Sequence, residues 1–250
     1  MLMRLRDYTS ARVELGRAGV SLPTRELLGF QLAHAKARDA VHLPLAVNSL
    51  LLEMKQKNIP SSAVTSLARD RDEYLKRPDL GRLLSEDSRE QLAGLRAEHE
   101  YDAAFVIADG LSALAVQRHA VPLLALLLPG LDTAIPPVAI VEQGRVAIGD
   151  DIGDVLGARQ AVVLIGERPG LSSPDSLGAY LTWQPRPGRT DAERNCISNI
   201  RAEGLSCAAA AHKLLFLMNE SRRLKLSGVR LKEAAALIGD SMPDTKFLGK

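Results

Sequence analysis

Apolar positions in the first hundred residues recur at helical spacing. Leu27, Leu28, Leu32 and Ala35 follow Thr24, a cap-type residue, with Glu26 in the first turn, and predict a helix running to about Leu43. Pro44 suits a first helical position, so PLAVNSLLLEMKQKN reads as the next helix, ending before Pro60. Two further helical stretches, 62–76 and 85–99, are separated by the turn RPDLG. No strand-type alternation interrupts them, and residues 1–100 read as a helical N-terminal domain.

At Tyr101 the period changes. AAFVIADG, PPVAIVEQ, GRVAIGD and AVVLIG are short runs rich in Val and Ile. Between and after them lie segments of helical length and content: LSALAVQRHAVPLLALLL, DDIGDVLGA and residues 206–226. Short apolar strands alternating with helices are the signature of βαβ units. Residues 101–240 therefore read as an α/β domain, a Rossmann-like, mostly parallel sheet flanked by helices. Residues 241–250 have no periodicity and are expected to form a disordered tail. In an open parallel sheet ligands sit beyond the carboxyl ends of the strands. Here those ends carry ADGLS and IGERPGLSS.

The 250 residues, 46% hydrophobic and 25% charged, suit an ordinary globular protein with a sizeable core. A net charge of +2 gives no reason to expect a nucleic-acid or membrane surface. The longest apolar run, AVPLLALLL, is half a membrane span and contains Pro122. The first residues, MLMRLRDYTSARVELGRAG, lack the apolar stretch and cleavage site of a secretory signal. Two cysteines, Cys196 and Cys207, are too few for a disulfide framework, which points to a reducing compartment.

Chemistry is sparse. A dinucleotide loop needs glycines where Glu167 and Arg168 stand after Gly166, and no GxxxxGK[ST] occurs. The bland reading of GERPG is a strand-exit turn with Pro169 fixing φ and Glu167 and Arg168 solvated. The five histidines, His34, His42, His99, His119 and His212, form no HxxxH or HExxH pair. No GxSxG elbow is present, and Cys196 has no local base. From the residues alone, the chain is a two-part α/β protein with a ligand site near GERPG. A stand-alone nucleotide- or flavin-binding module and an assembly subunit without a working site remain as alternatives.

Several stretches in series carry more information. TSARVELGRAG, LPTRELLGFQLAHAKARDAVH, YLKRPDLGRLL, IADGLSALAV, GRVAIGDDIGDVLGA, VVLIGERPGLSSPDSLGAYLTW and TDAERNCISNIR resemble, in order, the small subunit of ethanolamine ammonia-lyase. The resemblance runs from about Tyr8 to Val229. It implies a hetero-oligomer with a large subunit that binds ethanolamine and hosts the radical chemistry of adenosylcobalamin, releasing acetaldehyde and ammonia. This chain would then complete the cofactor site and carry no catalytic residue and no metal ligand of its own. The family's cofactor contacts fall on Val146, Glu167 and Cys196, with the PRPGRT loop one residue shorter than in some relatives. The DxHxxG signature that brings a histidine to cobalt is absent, since Leu32, Ala40, Ala97, Gln117 and Ala210 stand two places before the histidines. Few residues precede TSARVELGRAG, so the long extension that some relatives use for packaging is not expected. A cytoplasmic location is expected, with a bacterial microcompartment as the alternative.

Overall fold

A computed structural model describes residues 5, 12–132 and 134–231, which leaves the expected tail at 241–250 outside the described residues. The elements run α1 (Thr24–His42), α2 (Val47–Gln56), β1 (Ser61–Thr65), α3 (Arg71–Lys76), α4 (Glu86–Ala93), β2 (Ala104–Ala108) and α5 (Ala113–Leu127). They continue with β3 (Val138–Glu142), α6 (Ile148–Leu156), β4 (Gln160–Gly166), β5 (Leu177–Trp183), β6 (Arg194–Ile200) and α7 (Cys207–Leu224).

The six strands form one mixed sheet in the order β1-β3-β2-β4-β5-β6. β1 with β3, β3 with β2, and β2 with β4 are parallel, while β4 with β5 and β5 with β6 are antiparallel. β2 and β4 are buried at every position, which explains their unbroken apolar runs. Alternation splits their side chains between two cores. Phe105, Ile107, Val162 and Leu164 pack with α5 and α7 on one face. Ala104, Val106, Val163 and Ile165 pack with α6 and Leu92 of α4 on the other. α5 would pass for a membrane span by length and composition, yet Val116, Val121, Leu123 and Leu124 are fully buried and make it a core helix.

Local pattern and structure part at four places. Residues 61–65, inside the stretch expected to be helical, form a strand that joins the sheet through β3, so the N-terminal hundred residues are not purely helical. SSAVT buries only Val64 fully, too little alternation to register as a strand; pairing with β3 decides its state. Its outer edge is covered by α4, where Ser88 Oγ accepts from Thr65 N at 2.9 Å and Gln91 donates to Ala63 O at 3.3 Å. GRVAIGD, read as a strand, is instead the entry to α6, because Ile148, Ile152 and Leu156 continue at i, i+4 and i+8 onto the sheet. Gly149 and Gly153 let that helix lie close, since a β-carbon there would collide with Val163 and Pro185. α4 ends at Ala93, short of the expected residue 99. RNCISNI, too polar to read as a strand, forms β6 at the sheet edge.

A buried ion pair holds the outer strands to α6. Arg194 of β6 donates to both carboxylate oxygens of Asp150 at 3.2 and 2.7 Å, and both side chains are nearly inaccessible. Arg194→Met strands a buried carboxylate and should lower unfolding free energy by about 3 kcal/mol. Adding Asp150→Asn should recover part of the loss. Urea melts of the wild type, Arg194→Met and the double variant check this; equal stability of wild type and single variant would refute it.

Candidate functional site

The chain changes direction across the sheet at β2 and β4. α5 leaves β2 on one face and α6 leads into β4 from the other, and a crevice opens between the entry to α6 and the exit of β4. Backbone meets backbone there, with Leu111 N donating to Gly166 O at 2.9 Å. Gly110 is in the left-handed region at φ +57°, and a β-carbon on it would strike Gly166 and Ile165. A β-carbon on Gly166 would in turn strike the Ser112 and Asp109 carbonyls. Both glycines are demanded by space.

Asp109, buried at the end of β2, sets the loop that precedes α6. Its carboxylate accepts from Gln143 N and Gly144 N, both at 2.9 Å, and pairs with Arg71 at 3.4 Å. Burial pushes this carboxyl up to about 6 against the opposing pull of Arg71 and the loop N–H groups. Tyr74 lies between two guanidinium groups, 3.9 Å from Arg145 and 4.7 Å from Arg71, and donates to Gly144 O at 3.2 Å. Arg71 Nη2 and Arg145 Nε are buried without a hydrogen-bond partner.

These parts enclose a cleft of about 240 Å³ whose walls include Tyr74, Arg145, Val146, Gly166, Glu167 and Tyr180. Val146 and Glu167, chosen from the sequence, thus face the same space from the α6 entry and the β4 exit. Glu167 is anchored on one side: Oε2 accepts from the Ser176 hydroxyl and from Asn199 N at 3.2 Å. Oε1 has no protein hydrogen bond among the described residues and lies over Gly178, where a β-carbon would come within 3.1 Å of it.

Cys196 does not line this cleft. It sits on β6 directly opposite Tyr180, which does line the cleft, so it borders the cleft through that residue. Strand parity puts Cys196 on the face of Arg194 and α6. The residue is exposed overall, yet partial desolvation of its thiol pushes the thiol above the ordinary value. α6 packs on β2 and β4, while on the neighbouring strands Gly178 is buried under Glu167, Tyr180 is half-buried and Cys196 is exposed.

Sequence reasoning passed over Tyr180, Gly178, Tyr74 and Asp109. LGAYLTW does carry a period-two signal that puts Gly178 and Tyr180 on one face. Nothing local pairs Tyr74 with Arg145, 71 residues away. No group of His, Cys, Asp and Glu suited to a metal occurs among the described residues, and no histidine lines the cleft. A larger cleft of about 730 Å³ lies at the opposite end of the sheet and is lined by Arg96, Arg159, Arg186, Arg222 and Lys225. Arg96 there donates to the last carbonyls of α6, Asp154 O and Val155 O, as cations at a helix C-terminus do.

The strut at Asp109 makes a pH-dependent prediction. Its folded value of about 6 exceeds the ~3.9 of an unfolded aspartate, so the folded state keeps the proton longer. Stability from this group is then full below about pH 4 and lost as pH rises to about 6. Asp109→Asn removes that slope and turns an amide donor toward a loop N–H, costing about 1–3 kcal/mol. Thermal melts between pH 4 and 7 should show the variant below wild type, with the gap widening toward acid. Parallel curves would refute the assignment.

Comparison of the sequence with known proteins identifies a family. The family described as "Ethanolamine ammonia-lyase light chain" matches residues 1–232. The ethanolamine ammonia-lyase small subunit of Azotobacter vinelandii is 58% identical over 237 residues, covering 93% of this chain and 88% of the relative. That of Ralstonia nicotianae is 58% identical over 236 residues, with 92% and 87% covered. That of Pseudomonas fluorescens is 53% identical over 252 residues, with 98% and 92% covered. With its full described length matched, the chain belongs to the ethanolamine ammonia-lyase light chain family.

Proposed function

We propose that this chain acts as the small subunit of an ethanolamine ammonia-lyase and that its cleft forms one wall of the adenosylcobalamin site, closed by the large subunit. The convergence of Val146 and Glu167 in one cleft, with Cys196 beside it through Tyr180, carries this reading.

The donor and acceptor set suits the group. A corrin has a flat apolar body and a rim of amide side chains whose N–H groups need acceptors. Glu167 offers a free Oε1 on an oxygen pair whose other member is already held. A phosphate placed there would be repelled by the same charge, which disfavours a nucleotide or flavin module. Tyr180 and Val146 supply flat apolar contact, and Gly178 keeps the sheet surface low beside the carboxylate. Cys196, protonated, adds a polarizable contact at the rim. When bound, the cofactor supplies the radical chemistry that removes ammonia from ethanolamine. The chain's own residues hold the rim amides, fix their position and keep water from the wall they cover.

Glu167→Ala should raise the concentration of adenosylcobalamin needed for half-maximal acetaldehyde formation by about tenfold or more, the loss expected for a charge-assisted hydrogen bond. The requirement for ethanolamine should change less than about twofold. Glu167→Gln, which keeps a carbonyl acceptor, should fall between. Equal effects on both requirements would argue against a cofactor-side role. A second test concerns cobalt. Labelling the histidines of this subunit with ¹⁵N should leave the hyperfine pattern of the holoenzyme's cobalt signal unchanged, and a shift would overturn the absence of a ligand from this chain.

A further inference from the structure

α1 is a 19-residue helix in which Ala40 alone is buried. Along it and just before it, Val20, Leu22, Leu27, Leu28, Phe30 and Leu32 are exposed by 42–102%. At about 100° per residue, Leu27, Leu28, Phe30 and Leu32 cover roughly 200° of the helix circumference, far more than a surface helix needs. The segment before α1 folds back on it, with Arg12 donating to Gly29 O at 2.9 Å and lying 5.2 Å over the Phe30 ring. Phe30 in turn stacks on His34 at 6.2 Å. The result is one arm whose apolar side chains have little cover among the described residues.

The arm is rooted beside the cleft. Val41 O, at its C-terminal end, accepts from Arg71 Nε at 2.7 Å, and the same guanidinium reaches Asp109 and Gln143. Pro44 O, just beyond, accepts from Gln117 near the start of α5 at 3.4 Å, on the cleft end of the sheet. The root of the arm thus lies at the cleft end of the sheet, where a partner closing the cleft would sit.

We infer that α1 and the segment from Arg12 to Pro23 form an anchoring arm that seats in an apolar groove of the large subunit. This rests on the small-subunit reading above. Six large apolar side chains exposed by 42–102% along one short segment form a patch of the kind that marks a protein interaction site. Apolar cover over more than half the circumference calls for a groove. Helix-to-helix pairing with a second copy of this chain would cover one side only.

The test uses the full chain co-expressed with the large subunit. Leu28→Asp with Leu32→Asp, and the milder Leu28→Ala with Leu32→Ala, change side chains outside both cores, so the lone variants should melt within about 2 °C of wild type. The aspartate pair should weaken assembly with the large subunit at least tenfold, measured by size exclusion with light scattering, and the alanine pair less. Activity at limiting subunit concentration should fall in parallel and recover when the variant is in excess. Glu167→Ala should assemble as wild type does while needing more cofactor. Assembly of the aspartate pair within twofold of wild type overturns the inference, as does a wild-type dimer that the variant breaks while still binding the large subunit fully. Failure of wild type itself to assemble would instead overturn the small-subunit reading.

Discussion

The close approach of two backbones at Gly110 and Gly166 is the constraint on which the rest of this molecule depends. The exits of β2 and β4 touch there, with no room for a side chain on either glycine. Because β2 and β4 are neighbours whose helices lie on opposite faces, this contact forms part of the wall of the crevice between the entry to α6 and the exit of β4. Glu167 is the next residue along. Its carboxylate is oriented because its own backbone is already held, by Gly166 on one side and by Glu167 N to Ser176 O on the other.

Buried aspartates extend that constraint outward. Asp109 secures the loop into α6, Asp151 accepts from Leu84 N and Arg89, and Asp150 takes both nitrogens of Arg194 from β6. Two of these three carboxylates rise through burial, the cost of placing charge inside, and each is offset by fixed donors. Polar struts of this kind fix one arrangement of α6 against the sheet, which apolar packing alone would specify less strictly. Val146, just before α6, and Glu167, at the exit of β4, line the cleft that this arrangement leaves.

On the function proposed above, this arrangement suits a chain that shapes a site and leaves bond-breaking to a cofactor. Its cleft offers one free carboxylate oxygen and aromatic and aliphatic walls, with a thiol beside it raised by partial desolvation. Nothing in it resembles an acid and base pair tuned apart by their surroundings. The anchoring role proposed for α1 follows the same logic, since a wall of that site would have to be held against the subunit it completes.

How much of this was legible in the residues differed by element. α1, α2, α5, β2, β3, β4 and α7 are elements whose own spacing or apolar run states their type, and in all but α1 that run is the face the element buries. The serial stretches through GERPG and RNCISNI identified the family and pointed to Val146, Glu167 and Cys196. Only the tertiary structure decided β1, β6 and the start of α6. SSAVT and RNCISNI are edge strands whose state comes from a neighbour's hydrogen bonds, and GRVAIGD becomes a helix entry because Asp109 holds the loop before it. The same is true of Tyr74, Arg145 and Tyr180, whose partners are distant in the chain. Local periodicity reports which face a segment buries, whereas contacts between segments far apart exist only once the sheet has brought them together.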